Sequence, residues 1–277
     1  MKIVSSWIVI LLLFIIIPLN ICAQEKLKGN RIVVTEDRNI SDFNKIEISD
    51  NIDVIITHAS DKSVSVETDE NLQFAVLTEV KDEVLTIKLS KKIIEKKVLK
   101  IYISIDDFID EINIYDRAEV RSDGTLNLDQ IVINAEGDSK VVMDIKSAGF
   151  SLNNNESANV NLTVNANKAV INSNKNGKAK INIEAENIEI LCQGNSTTEL
   201  VGNSVDLVVN AENKSNLKAS MLECDDVTVN ASDTSDIHIN AKNSIIISLT
   251  NSAEVYIYND PEITVKKFSD KAILRKK

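Results

Sequence analysis

The chain has 277 residues, 43% of them hydrophobic but only 4% aromatic, and carries a formal net charge of −11. That length leaves room for one large domain or two ordinary ones with a substantial core, and the acidity argues against a nucleic-acid partner because it repels a phosphate backbone. Few aromatics among abundant Ile, Val and Leu favour strands packed through β-branched side chains, and with seven Gly and two Pro the turns fall to Asn, Ser and Asp.

The opening "MKIVSSWIVILLLFIIIPLNICAQEK" has a cation at Lys2, an apolar run from Ile8 to Ile17, and Pro18 ahead of small or polar residues. This is the layout of a secretory signal peptide over 1–23, too short in its apolar part for a membrane span of about twenty residues. Cleavage after Ala23 would leave Gln24 as the mature N-terminus. The competing reading is lipid attachment at Cys22 in the cell envelope; against it, Ile21 stands where a lipoprotein signal places Gly or Ala. No second long apolar segment follows, so no transmembrane helix is expected once the signal is removed.

The remaining 24–277 reads as one domain. Between 31 and 97, "RIVVTED", "KIEISD", "IDVIITH", "SVSVETD" and "EVLTIKLS" alternate apolar and polar residues and predict short strands with one buried face. "ENLQFAVLTEV" is compatible with a short helix or a strand, and strand is the expectation. From 98 to 264 the text becomes periodic. Ile112, Ile133, Leu152, Ile171, Ile190, Val209, Val229 and Ile247 recur about 19 residues apart, and apolar pairs such as Val141/Met143 and Ile237/Ile239 follow each anchor by eight and ten positions. A repeat too short for a helical pair and rich in β-formers predicts an all-β coil of parallel strands in seven or eight rungs, closed by 265–277.

In such a coil equivalent positions stack into columns. One residue after the anchor come Asn134, Asn153, Asn172, Asn210 and Asn230, expected at a bend; next come Ala135, Asn154, Ser173, Cys192, Ala211 and Ala231, small enough for an inside corner. Ser139, Ser157, Gly177, Ser196, Ser215, Ser235 and Ser252 fall five or six positions after it as turn formers. The recurring residues therefore build corners, and chemistry has to be sought elsewhere.

Catalysis on a β-helix commonly uses carboxylates converging from adjacent rungs. Glu136, Asp138, Glu156, Glu212, Asp233 and Asp236 lie along the turn edge, but their positions do not converge on one column pair, which suits a solvated acidic rim. Asp106/Asp107 and Asp225/Asp226 lack any Ca²⁺-loop spacing. His58 and His238, the only histidines, are far apart in the sequence and do not suggest a zinc site or a catalytic triad, and His238 is expected to point outward alone. Cys192 and Cys224 are expected as buried thiols, although pairing in an oxidising compartment stays open. The N-x-S/T matches at Asn161, Asn195, Asn213 and Asn230 are expected at rung corners as products of repeat composition. The tail "KKFSDKAILRKK" is the short basic stretch expected to offset the acidity and keep the end of the fold soluble.

The stretch from "RNISDFNKIEISDNIDVIITHASDKSVSVETDENLQFAVLTEV" to "VYIYNDPEITVKKFSDKAIL" resembles the putative auto-transporter adhesin, head GIN domain family, a DUF2807-like group common in Bacteroidetes. Its opening strand matches the family pattern F-x-x-I-x-V in type, and "VNASDTSDIHI", "VINAEGDSKVVM" and "VNAENKSNLKAS" look like degenerate copies of its D-A-S-G-A-S-D-V corner, mostly without the glycine. The resemblance implies a right-handed single-stranded parallel β-helix, a three-sided solenoid shaped like pectate lyases but without their catalytic residues, and a role in adhesion. It carries over no active site and no cofactor. The resulting expectation is an exported, non-enzymatic envelope or surface protein whose outer faces bind a glycan or a surface protein. A carbohydrate-active enzyme and a purely structural envelope protein are the alternatives.

Overall fold

The computed structural model describes residues 26–277; the signal-peptide reading, with Cys22, Ala23 and Gln24, lies outside the described residues. Alternation of apolar and polar residues turns almost the whole described chain into strands. The first ten are β1 Lys26–Lys28, β2 Val33–Asp37, β3 Lys45–Ile48, β4 Asp53–His58, β5 Ser63–Asp69, β6 Val76–Lys81, β7 Val84–Leu89, β8 Lys92–Glu95, β9 Leu99–Ile105 and β10 Glu111–Ile114. Seven long strands follow: β11 Glu119–Ala135, β12 Lys140–Asn154, β13 Asn159–Ser173, β14 Lys178–Cys192, β15 Thr197–Ala211, β16 Asn216–Ala231 and β17 Asp236–Leu249. The chain ends with β18 Glu254–Tyr258, β19 Glu262–Phe268 and β20 Ile273–Lys276. "ENLQFA" forms a 3₁₀ helix, Glu70–Ala75, and only the rest of that segment joins β6. Leu72, Gln73 and Ala75 are buried by it, so three residues in four face inward, a density that strand alternation does not give.

Successive long strands pair in parallel with register steps of about 19 residues, so that Ile133 lies on Leu152, Leu152 on Ile171 and Ile171 on Ile190. The result is a β-solenoid of about nine turns. Its interior is filled by the predicted columns: Ile112, Ile133, Leu152, Ile171, Ile190, Val209, Val229 and Ile247 are at most 1% exposed, and so are Val141, Val160, Leu217 and Ile237 eight positions on. Each such side chain contributes roughly 1.5–3 kcal/mol by leaving water. The Ala/Asn/Ser/Cys column at the inside corner and the column Ser139, Ser196, Ser215 and Ser235 are also buried.

Rungs that depart from 19 residues absorb the difference locally. The extra residues of β11 fall at Ser122–Gly124, where pairing with β12 skips from Arg121 to Thr125 and Gly124 has φ 82°. The longer β16 bulges beside Gly202. Gly202 has φ 129° in an inward column where the rung before carries Ile183, and a Cβ there would lie 2.0 Å from the Ile183 carbonyl oxygen. Only glycine fits this position.

The Asn column forms a ladder, but not at a bend. It runs along the strands, with side-chain amide bonds from Asn134 to Asn113 (2.6 Å), Asn153 to Asn134 (2.6 Å) and Asn172 to Asn153 (2.8 Å), and resumes from Asn230 to Asn210 (3.1 Å). Leu191 interrupts it. The bend comes three residues later, at a second column, Asp116, Gly137, Glu156, Lys175, Gly194, Asn213, Asp233, Asn251 and Asp270, all with φ between 54° and 70°. The N–H one residue beyond each bends back to the carbonyl of the equivalent residue in the rung before, from Asp138 to Asp116 through Lys271 to Asn251, at 2.6–3.0 Å. Stacking thereby holds even Glu and Lys in the left-handed region, which side chains with a Cβ otherwise avoid.

The N-terminal third breaks this order. The rung made by β3 and β4 is packed between β10–β11 on one side and β7 and β9, later in the sequence, on the other. β5 runs antiparallel to β9, β2 antiparallel to β5, and β6 antiparallel to β7, which covers this end of the stack. In the β7–β9 rung the short turn is replaced by residues 90–98, a flap containing β8, which pairs with β1. Asp69, fully buried, clamps this flap by accepting the backbone N–H groups of Lys97 (2.7 Å) and Arg31.

Candidate functional site

Because the flap replaces a turn, it overhangs the column of bends belonging to the next rungs. The space between them is a groove of about 690 Å³, in the size range of ligand sites. Its floor is the stacked turns at Asp50/Asn51, Asp116/Arg117 and Gly137/Asp138, and its wall is the flap with Lys91, Lys92, Ile94 and Lys96. The floor is looser than any later part of the corner: among the described residues no bond joins the Arg117 N–H to the Asp50 carbonyl, although its counterpart is made in every rung that follows.

The charges of the groove are unevenly committed. Asp50 accepts the Leu89 N–H (2.8 Å) and Asp116 accepts the Asp50 N–H (3.0 Å), so both carboxylates serve the corner itself. The Lys96 ammonium reaches the Asn51 carbonyl at 3.4 Å. Sequence reading passed over this site: "KKIIEKK", residues 91–97, is a second basic run beside the C-terminal tail, and its one acid, Glu95, pairs with Lys28 at 2.9 Å.

The turn-edge acids are not gathered into a catalytic pair. Glu156 accepts the Gly137 N–H (3.1 Å) and pairs with Lys175 (3.2 Å), Asp233 accepts the Asn213 N–H (3.1 Å), and Glu212 accepts from Gln193 (3.2 Å). Glu136 lies at a separate shallow pocket near Asn154, while Asp138 lines the groove. Asp106 pairs with Lys62 (3.3 Å), Asp107 with His58 (2.6 Å), and Asp226 accepts the Ser244 hydroxyl (2.6 Å). Asp225 lies with Glu223 and Lys242 at a shallow outer depression. Among the described residues no three His, Cys, Asp or Glu side chains are placed to share a metal ion.

His58 on β4 and His238 on β17 are separated by the six strands β11–β16. His238 is not alone. It stacks on Tyr256 with ring centroids 4.6 Å apart, because the two are register neighbours, and meets the Tyr258 hydroxyl (3.2 Å) and Asp236 (3.3 Å). Arg275 and Lys277 lie over the same Tyr256 ring, at 5.7 and 4.9 Å. Both faces of that aromatic are therefore engaged within the protein. Asn195 and Asn213 lie at turns, but Asn161 and Asn230 are within strands β13 and β16. Cys192 and Cys224 are free and buried, and burial raises their thiols to about 11 and about 12.

The fold and the groove define a class: a rigid β-solenoid that presents ladders of polar side chains outward and one mixed-charge groove at a corner. The signature of the putative auto-transporter adhesin, head GIN domain family matches residues 42–169 and again 148–261, and the chain belongs to that family. Similar solved structures include a putative lipid binding protein from Parabacteroides distasonis (18% identity, TM-score 0.61, 91% of this chain and 99% of that one) and a putative adhesin from the same species (18%, 0.60, 91% and 100%). A putative adhesin from Parabacteroides merdae is also similar (17%, 0.57, 91% and 99%). At these identities the likeness shows the fold alone. No curated protein matches the chain. Among the described residues no helix is long and apolar enough to cross a membrane.

Proposed function

We propose that this is an exported, non-enzymatic envelope or surface protein that binds a glycan or a protein partner through the outside of its solenoid, with the flap groove as the main contact. The observation that carries the reading is the groove itself, the place where a rigid stacked corner and an overhanging flap make a concave polar surface. Family membership supports an adhesin-like role, and the Lys2–Ala23 segment supports export. The acids that a glycosidase mechanism would need are employed in the corner ladder and in cross-rung ion pairs, which favours binding without turnover. A lipid role, suggested by the name of one similar protein, is not adopted, because the lumen is filled by Ile, Val and Leu side chains.

The test is to pass the purified chain over a panel of immobilised bacterial and host polysaccharides and surface proteins, measuring retention and released product together. Retention without product is expected. Product formation that disappears with the turn-edge acids would replace this reading with an enzymatic one, and no retention on any surface would remove adhesion.

A further inference from the structure

We propose that the C-terminal end of the solenoid is an interface for a second copy of this chain, whose β19 pairs with the first across a two-fold axis at Thr264. The two ends of the stack are finished differently. At the N-terminal end antiparallel strands cover the lumen, and Leu72, Leu85 and Leu99 there are at most 2% exposed. At the other end β19 lies on β17 and β20 on β18, and among the described residues no strand lies on them in turn. Ile263, Val265 and Phe268 continue the inward columns of Ile245, Ile247 and Leu249, which are fully buried one rung earlier, yet they remain 41%, 48% and 50% exposed. The columns thus end in an apolar face beside an open strand edge, a template for another strand.

Shape and charge select the occupant. It has to continue the inward columns and offer a strand edge across the same width of lumen, and a copy of the same end does both. β19 starts with Glu262, directly after Pro261, and bulges at Lys266, which is skipped between the Val265–Ile247 and Lys267–Ser248 pairs. Turned about Thr264, this strand complements itself: Ile263 meets the second copy's Val265, and Glu262 meets its Lys266. Neither Glu262 nor Lys266 has an ion-pair partner among the described residues, so each is available for that pair. Lysines on an edge ordinarily deter pairing, but an antiparallel copy answers them with its acid, whereas an in-register parallel neighbour would set like charge on like charge. Because the N-terminal end is covered, the contact closes at two copies and does not grow into a filament. With about nine turns in each copy, the two flap grooves then lie at opposite ends of the pair, on the order of 80 Å apart, and given the binding role above such a pair grips a surface at two points.

Sedimentation of the purified chain with no ligand present tests this separately from the binding role. An equilibrium between monomer and dimer is expected, with no larger species. Glu262→Lys alone and Lys266→Glu alone each set like charges face to face at both ends of the paired stretch and should weaken the dimer about tenfold, and Glu262→Lys/Lys266→Glu together should restore it to within about threefold of wild type. Both positions are exposed, so the circular dichroism spectrum should not change. On oxidation Thr264→Cys should cross-link to its own copy, whereas Thr228→Cys, two rungs earlier in the same column, should not. A monomer at every concentration up to the solubility limit would overturn the proposal and leave the edge lysines as a device against pairing. Oligomers larger than two, a double variant no tighter than the single ones, or no cross-link at Thr264→Cys would overturn it as well.

Discussion

The N-terminal third and the regular rungs are made from the same kind of strand and obey different rules. From β10 onward each residue is fixed by its column: the neighbours above and below are the equivalent residues of adjacent rungs, and one corner geometry recurs down to Asp270. Before β10 the order of strands in the stack departs from their order in the chain, pairing becomes antiparallel at the end, and single side chains such as Asp69 hold segments that no repeat supports. The difference teaches where a repeat protein can place a site. Repetition satisfies its own corner, whereas the one expanded turn leaves cations and an open turn facing solvent.

If the rungs are held by their columns, the largest effect should come from forcing a side chain into the backbone stack. Gly202→Ala puts a methyl group against the Ile183 carbonyl at a positive φ, and a loss of about 3 kcal/mol or more is expected as a lowered urea midpoint. In the N-terminal third, Asp69→Ala strands two backbone donors and should cost about 2–3 kcal/mol. Its signature should be local: hydrogen exchange speeds up at 26–31 and 90–98 while β12–β17 keep their protection. Exchange that accelerates evenly along the whole chain would remove the distinction between the regions.

The thiols sharpen the contrast because both are in the rungs. Cys192 and Cys224 titrate at about 11 and about 12 in the folded protein and near 9 when exposed, so above pH 9 the unfolded chain gives up protons that the folded one keeps. The thiols therefore leave stability unchanged below pH 9 and lower it between pH 9 and 11, by up to about 1.4 kcal/mol per pH unit for each. Denaturation across that range should show the slope, and Cys192→Ala/Cys224→Ala should flatten it. The smallest effect is a gain. Leu191→Asn would join the two halves of the amide ladder, and a stabilisation of about 0.5–1 kcal/mol is expected from a raised urea midpoint.

The regular part was legible in the sequence because inward columns are conservative in chemistry: Ile133, Leu152, Ile171 and Ile190 announce themselves by spacing alone. The left-handed column was not, because its residues share a conformation and no chemical type; Asp116, Glu156, Lys175 and Asn213 are held there by bonds between rungs that a single line of text does not display. The Asn column was seen but placed at the bend, since Asn favours turns in isolation and here bonds to its own kind along the strand. The groove escaped because "KKIIEKK" occupies a turn position only once β7 and β9 are stacked beside β3 and β4, and strand order in the stack cannot be read from order in the chain. Similarly, the partners of His238 lie one rung away, at Tyr256 and Tyr258.

The central claim is that binding belongs to the broken corner and not to the repeat. Hydrogen exchange of the chain with and without a saturating polysaccharide or surface protein that it retains tests it directly. The account predicts slowed exchange at 50–52, 91–97 and 116–118, on both walls of the groove, with the rungs from 159 to 257 unchanged; protection confined to those rungs would contradict it.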